Sequence, residues 1–228
     1  MTPRWKITKR GLLTGAFKGR NLALAGTFGL LWIWVLDKSR ASSHAIRPPG
    51  AQEESEFLAT CIKCGECVAA CPFEILELAT ADDHPAIGTP FFEPRQGPCY
   101  MCPDPPCIPV CATGSLISGT KIEDARMGLA VLIDQENCLA FQGMRCEVCY
   151  RTCPLLGDAI RLELQPPKRS NRHWFFVPVV NSEACTGCGM CEHACVLEEA
   201  AIKVLPRAVA KAERGVYFPL EPKRIEEP

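Results

Sequence analysis

The 228-residue sequence has no G-x-G-x-x-G, no P-loop and no G-x-S-x-G. The short signatures of dinucleotide binding, nucleotide hydrolysis and serine-hydrolase chemistry are therefore absent. It also lacks an excess of charge: 25 Lys and Arg stand against 26 Asp and Glu, a formal net charge of -1. A protein that neutralises many phosphates carries a clustered basic surplus, so nucleic acid is excluded as a partner. No cysteine occurs before residue 61 or after residue 195, although the chain holds 16 of them. Confinement of that many thiols to one stretch points to a local chemical task.

Residues 1–21 carry Arg4, Lys6, Lys9, Arg10, Lys18 and Arg20 and no acidic residue. The uncharged run LALAGTFGLLWIWVL follows at 22–36. A basic n-region before an apolar h-region is the pattern of an export signal. The run is shorter than the ~20 residues that span a bilayer comfortably, and Ser39-Arg40-Ala41 offers small residues for cleavage after Ala41. Trp32 and Trp34 suit a membrane interface, and keep open the alternative in which 22–36 is retained as an anchor. Thr8-Lys9-Arg10-Gly11-Leu12-Leu13 is similar to a twin-arginine signal with lysine in the first arginine's place. Residues 1–41 are thus read as a signal or anchor segment, 42–52 as a Ser/Pro/Gly linker, 53–206 as the folded domain and 207–228 as a charged C-terminal tail.

The cysteines fall into four quartets. Cys61, Cys64, Cys67 and Cys71 are spaced C-x2-C-x2-C-x3-C and followed by Pro72, the bacterial iron–sulfur run. Cys185, Cys188, Cys191 and Cys195 repeat that spacing with Val196 in the proline position. Cys99, Cys102, Cys107 and Cys111 widen the middle gap around Asp104-Pro105-Pro106. Cys138, Cys146, Cys149 and Cys153, followed by Pro154, open with a longer gap. Three closely spaced cysteines wrap a loop around one cubane, whereas the fourth faces away and reaches the other cluster of a pair. The sixteen cysteines are therefore expected to hold four [4Fe-4S] clusters as iron ligands. A disulfide scaffold would scatter its cysteines instead of repeating quartets, and structural zinc uses two separated C-x2-C hooks.

An apolar strand, a cysteine loop, a short helix and a second strand recur around the quartets. Ala130–Ile133 and Phe175–Val180 are the incoming strands, and Ile75–Leu78, Leu116–Ile117, Ala159–Leu162 and Ala201–Val204 the outgoing ones. This predicts an α+β fold of two ferredoxin-like 2[4Fe-4S] modules with little regular secondary structure. The pairing is open between sequential and nested, and nesting is favoured because the first and fourth quartets are the regular ones. Loss of the clusters is expected to unfold such a domain.

His193 is read as a surface residue, since four cysteines already satisfy its cluster. His84 and His173 fall in loops, and His44 in the linker. Trp174, Phe175 and Phe176 are read as strand core in preference to a docking patch. Lys168–Arg172 is read as a solvated loop, with steering of an acidic partner as the alternative.

Together these residues resemble the MauM/NapG family of ferredoxin-type proteins. The likeness is carried by IRPPGA at 46–51, GTPFF at 88–92, DARMGLAVLIDQENC at 124–138, RCEVCYRTCP at 145–154 and ACTGCGMCEHACVLE at 184–198. The resemblance implies an electron carrier without a substrate site of its own, serving periplasmic nitrate reduction or methylamine utilisation. Its implied partners are a membrane iron–sulfur quinol-oxidising protein and a periplasmic oxidoreductase. It also leaves room for an assembly or maturation factor for a periplasmic oxidoreductase. The implied location is the periplasm, or the periplasmic face of the inner membrane if 22–36 is retained.

Overall fold

Short segments of secondary structure hang on the cysteine loops. The computed structural model describes residues 45–81, 83, 85–166 and 174–212. The segment 1–41, His44, His84, His173, Lys168–Arg172 and the tail beyond 212 lie outside the described residues.

Helix α1 (Glu54–Thr60) opens with Glu54 and Glu56 in its first turn, where carboxylates complement the positive end of the helix dipole. Its Phe57 is fully buried. The chain then turns to extended geometry at Cys61, whose N–H donates to the Phe57 carbonyl over 2.9 Å. The core-facing helix thus delivers the first ligand candidate. Helix α2 (Glu66–Ala69) begins directly after Gly65, which sits in the left-handed region, and it carries Cys67 inward. A two-stranded sheet of β1 (Glu77–Leu78) and β2 (Pro90–Phe91) follows, with Glu77 opposite Phe91. Bridges Ile46–Phe92 and Ala51–Leu116 close the first module.

After a 3₁₀ turn at Ile122–Asp124, strand β3 (Leu129–Leu132) leads to the third quartet. Helix α3 (Val148–Thr152) carries Cys149. Strands β4 (Ile160–Gln165) and β5 (Phe175–Val180) pair antiparallel between the third and fourth quartets. Helix α4 (Met190–His193) follows Gly189 and carries Cys191. Strand β6 (Ile202–Leu205) then returns to β3, with Leu129 opposite Leu205 and Leu132 opposite Ile202. Helix α5 (Arg207–Ala212) starts just past Pro206.

The strand pairings correct the expected nesting. Each module brackets two consecutive quartets: its outer segments meet each other, and a hairpin joins its two loops. The first quartet therefore shares a module with the second, and the third with the fourth. Regularity of cysteine spacing was a poor guide, because hydrogen bonding between flanking strands decides which loops face one another.

A continuous core joins both modules: Phe57, Phe92 and Leu116 from the first and Val131, Ile160 and Ile202 from the second, with cysteines among them. Trp174 and Phe176 depart from the expectation that they are core, being 61% and 53% exposed. Phe176 stands opposite Leu164, which is also exposed. The β4–β5 pair runs past the core at this end, and burial resumes only at Val177. Among the described residues, no helix is long and apolar enough to cross a membrane.

Candidate metal centres

Three cavities are each walled by four cysteines, and in every case three come from one quartet and the fourth from its module partner. Site I is lined by Cys61, Cys64, Cys67 and Cys111. Site II is lined by Cys99, Cys102, Cys107 and Cys71. Site IV is lined by Cys185, Cys188, Cys191 and Cys153. Of the remaining thiols, Cys138 lies within electrostatic range of Cys146 and Cys195, and Cys149 of all three, which makes these four the candidate site III. The fourth cysteine crosses over because the short helix ends before it. After α2 the chain turns through Ala70 and Cys71 toward Pro72, which directs Cys71 away from site I.

Backbone geometry makes the loops close. The residue before the second cysteine is left-handed in three quartets: Lys63 at φ 60°, Met101 at φ 56° and Gly187 at φ 76°. That twist folds a C-x2-C unit back so that its sulfurs face one cavity. Amide hydrogens also reach sulfur: Leu116 donates to Cys111 Sγ over 3.4 Å and Ala130 to Cys185 Sγ over 3.5 Å. Such contacts tune the potential of an iron–sulfur centre.

The thiols respond to burial. It pushes Cys99, Cys107 and Cys149 up to about 12, and Cys67 and Cys153 up to about 11, with neighbouring cysteines adding to the rise. Burial also pushes Cys191 well above its ordinary value. At Cys111 burial also raises, yet the Leu116 amide, the Thr113 hydroxyl and amide and the Ser115 amide together outweigh it and hold the thiol below its ordinary value. Thiolates in these walls need a compensating positive charge, which a bound iron centre would supply, with release of protons.

The cavities fit a cubane better than a single ion. Zinc at about 2.3 Å from each sulfur draws four thiolates to one point. Among the described residues no group of three or more Cys, His, Asp or Glu converges in that way; the cysteines instead stand around the walls. His193 is exposed and its Nδ1 lies 2.9 Å from the Arg95 carbonyl, away from the cysteine walls.

Several structural residues had no signal in the sequence. Arg95 donates to the carbonyls of Glu192, His193, Cys195, Leu197 and Glu198 over 2.6–3.2 Å, which satisfies the open end of α4 from the other module. Arg47 is 4% exposed and bonds Glu54, Thr89 Oγ1 and the Pro90 carbonyl. Buried Glu192 accepts from the Val204 amide over 2.6 Å. Arg207 donates to the carbonyls of Ser182 and Cys185.

A family profile described as a 4Fe-4S dicluster domain matches residues 60–115 and again 142–198, one match within each of the two modules that the strand pairing separates, the second beginning after Cys138. Ferredoxin-type protein NapG of Escherichia coli is 54% identical over 181 residues, 79% of this chain and 78% of that protein. Methylamine utilization ferredoxin-type protein MauM of Paracoccus denitrificans is 48% identical over 208 residues, 91% of each. Ferredoxin-type protein NapF of Escherichia coli is more distant, at 29% over 158 residues. No solved structure matches.

Proposed function

Because the chain belongs to the family of NapG and MauM ferredoxin-type iron–sulfur proteins, we propose that it is an electron carrier holding four [4Fe-4S] clusters, one in each of sites I to IV. The sixteen cysteines are the iron ligands, three from a quartet and one from its module partner. The observation that carries this reading is that exchange of the fourth cysteine, which gives each cavity a complete set of four thiols. Once bound, a cluster supplies one-electron chemistry; the chain supplies ligands, amide hydrogen bonds and a partly buried environment that set its potential. With every cysteine committed in this way, the protein relays electrons and transforms no substrate of its own.

The MauM relatives are named for methylamine utilisation, and the family resemblance implies that setting or nitrate reduction for this chain, with electrons received from a membrane iron–sulfur quinol-oxidising protein and passed to a periplasmic oxidoreductase. Export of the chain by its twin-arginine-like leader fits that role, since clusters inserted before export require a folded passenger. The test is a count of iron and acid-labile sulfide on protein purified without oxygen. About 16 of each per chain, with interacting paramagnetic signals after dithionite reduction, is the expected result. Stoichiometric zinc, or thiols paired as disulfides without labile sulfide, would overturn it.

A further inference from the structure

Two dicluster modules in one chain could work as separate carriers or as one wire, and their contact bears on which. The amide of Cys99, in the wall of site II, donates to the carbonyl of Cys188, in the wall of site IV, over 2.8 Å. Only a few covalent bonds and this one hydrogen bond separate the two sulfurs. The flanking residues bind as well: Thr186 Oγ1 donates to Met101 Sδ over 3.7 Å. Gly189 presses so closely on Pro94 that a Cβ there would lie 2.6 Å from the Pro94 Cβ. Arg95, next along the chain, fastens the seam through its five carbonyl contacts, two in the last turn of α4 and three just beyond it. Among the described residues no backbone–backbone hydrogen bond joins the walls of site I or site III to the opposite module; site III is reached only by the Arg95 side chain, at the carbonyl of Cys195.

We propose that the two modules form a single electron path in the order site I, site II, site IV, site III, with the crossing at the Cys99–Cys188 hydrogen bond and Arg95 as the positioning residue that holds it. In the crossing step one electron leaves the reduced cluster at site II, which is oxidised, and enters the oxidised cluster at site IV, which is reduced; no proton or bond changes place. Sites I and III are then the two terminals. The inference rests on the four-cluster reading and adds the order of the centres to it.

The experiment uses the full chain loaded with clusters. Iron and sulfide are counted first, and a count far below the expected loading overturns the four-cluster reading and this inference together. On loaded protein, less than one electron per chain is delivered from a photoreduced flavin and freeze-quenched samples are read by electron paramagnetic resonance. The wild type should share the electron between both modules in one fast phase, and when fully reduced should show spin interaction beyond that of isolated pairs. Arg95→Ala should keep its iron, lose the shared fast phase and reduce the additional interaction, with Arg95→Lys recovering part of both. Cys64→Ser, which strips a terminal site, should preserve the interaction between modules, whereas Cys102→Ser, which strips an inner one, should abolish it. Wild-type modules that behave as two independent pairs, or the reverse order of effects for the two cysteine variants, would overturn the proposal even if Arg95→Ala fails to fold.

Discussion

Gly187→Ala separates two reasons for a glycine in a cysteine loop. Gly187 lies between Thr186 and Cys188 at φ 76°, and a Cβ there would fall 2.2 Å from the amide nitrogen of Gly128 and 2.5 Å from its Cα and carbonyl carbon. Gly65, after the second cysteine of the first quartet, has φ 80° but would meet nothing nearer than Leu78 Cδ1 at 3.5 Å. Both substitutions place a side chain on left-handed backbone, which costs about 1–2 kcal/mol. Only Gly187→Ala must also push two backbones apart, and overpacking of this kind adds about 1–3 kcal/mol. The totals are then about 2–5 kcal/mol for Gly187→Ala and about 1–2 kcal/mol for Gly65→Ala. Lys63 and Met101 hold the equivalent left-handed position in their own loops with side chains attached, so at residue 187 space is the decisive requirement. Loss of clusters makes unfolding irreversible, so the comparison is of rates. Both variants are prepared without oxygen, and bleaching of cluster absorbance is timed at one guanidinium concentration. Gly187→Ala should bleach faster, by about tenfold for every 1.4 kcal/mol that reaches the unfolding barrier. Equal rates would show that left-handed strain alone matters and that the approach to Gly128 contributes nothing.

Exchange of the fourth cysteine predicts that Cys71→Ser disturbs the same redox centre as Cys102→Ser, and that Cys111→Ser disturbs the same one as Cys64→Ser; anaerobic potentiometric titration reads this, and a Cys71→Ser titration matching Cys64→Ser would refute it. Burial raises the Glu192 carboxyl above its ordinary 4.5, against the lowering effects of the Val204 amide, Lys203 and Arg95. A raised folded value means the folded state retains the proton longer, so the stability it contributes is full below 4.5 and is lost as pH rises through the raised value. Cluster retention in Glu192→Gln should therefore lack that decline. Arg47→Ala removes a partly buried pair with Glu54 at 2.5 Å, a bond to the Pro90 carbonyl and a cation–π contact 4.9 Å above Phe57. Breaking a buried pair costs about 3–5 kcal/mol, toward the lower end here because Glu54 is part exposed, and accelerated bleaching with Arg47→Lys intermediate is the expected result.

The cysteine quartets were legible in the sequence because their spacing is a local property: residues two and three apart sit in one loop whatever the rest of the chain does. The strands β3, β4, β5 and β6 were legible for a similar reason, as short apolar runs before and after each loop. Of the small hairpin, β1 was legible as the end of the apolar run Ile75–Leu78, but β2 was not, since two paired residues leave no periodicity to read. Trp174 and Phe176 misled, because apolar character marks a strand without saying where the sheet outruns its core.

By itself the sequence determined the kind of chemistry, the sixteen thiols and the family resemblance, all of which follow from residue type and short-range spacing. Tertiary structure alone decided which quartets share a module, because that depends on strands far apart in the chain finding one another, as Leu129 finds Leu205. It also decided that Arg95 would reach the carbonyls at the end of α4 and that Cys99 would meet Cys188. Those contacts join residues about ninety to a hundred positions apart, and only folding sets the distance between them.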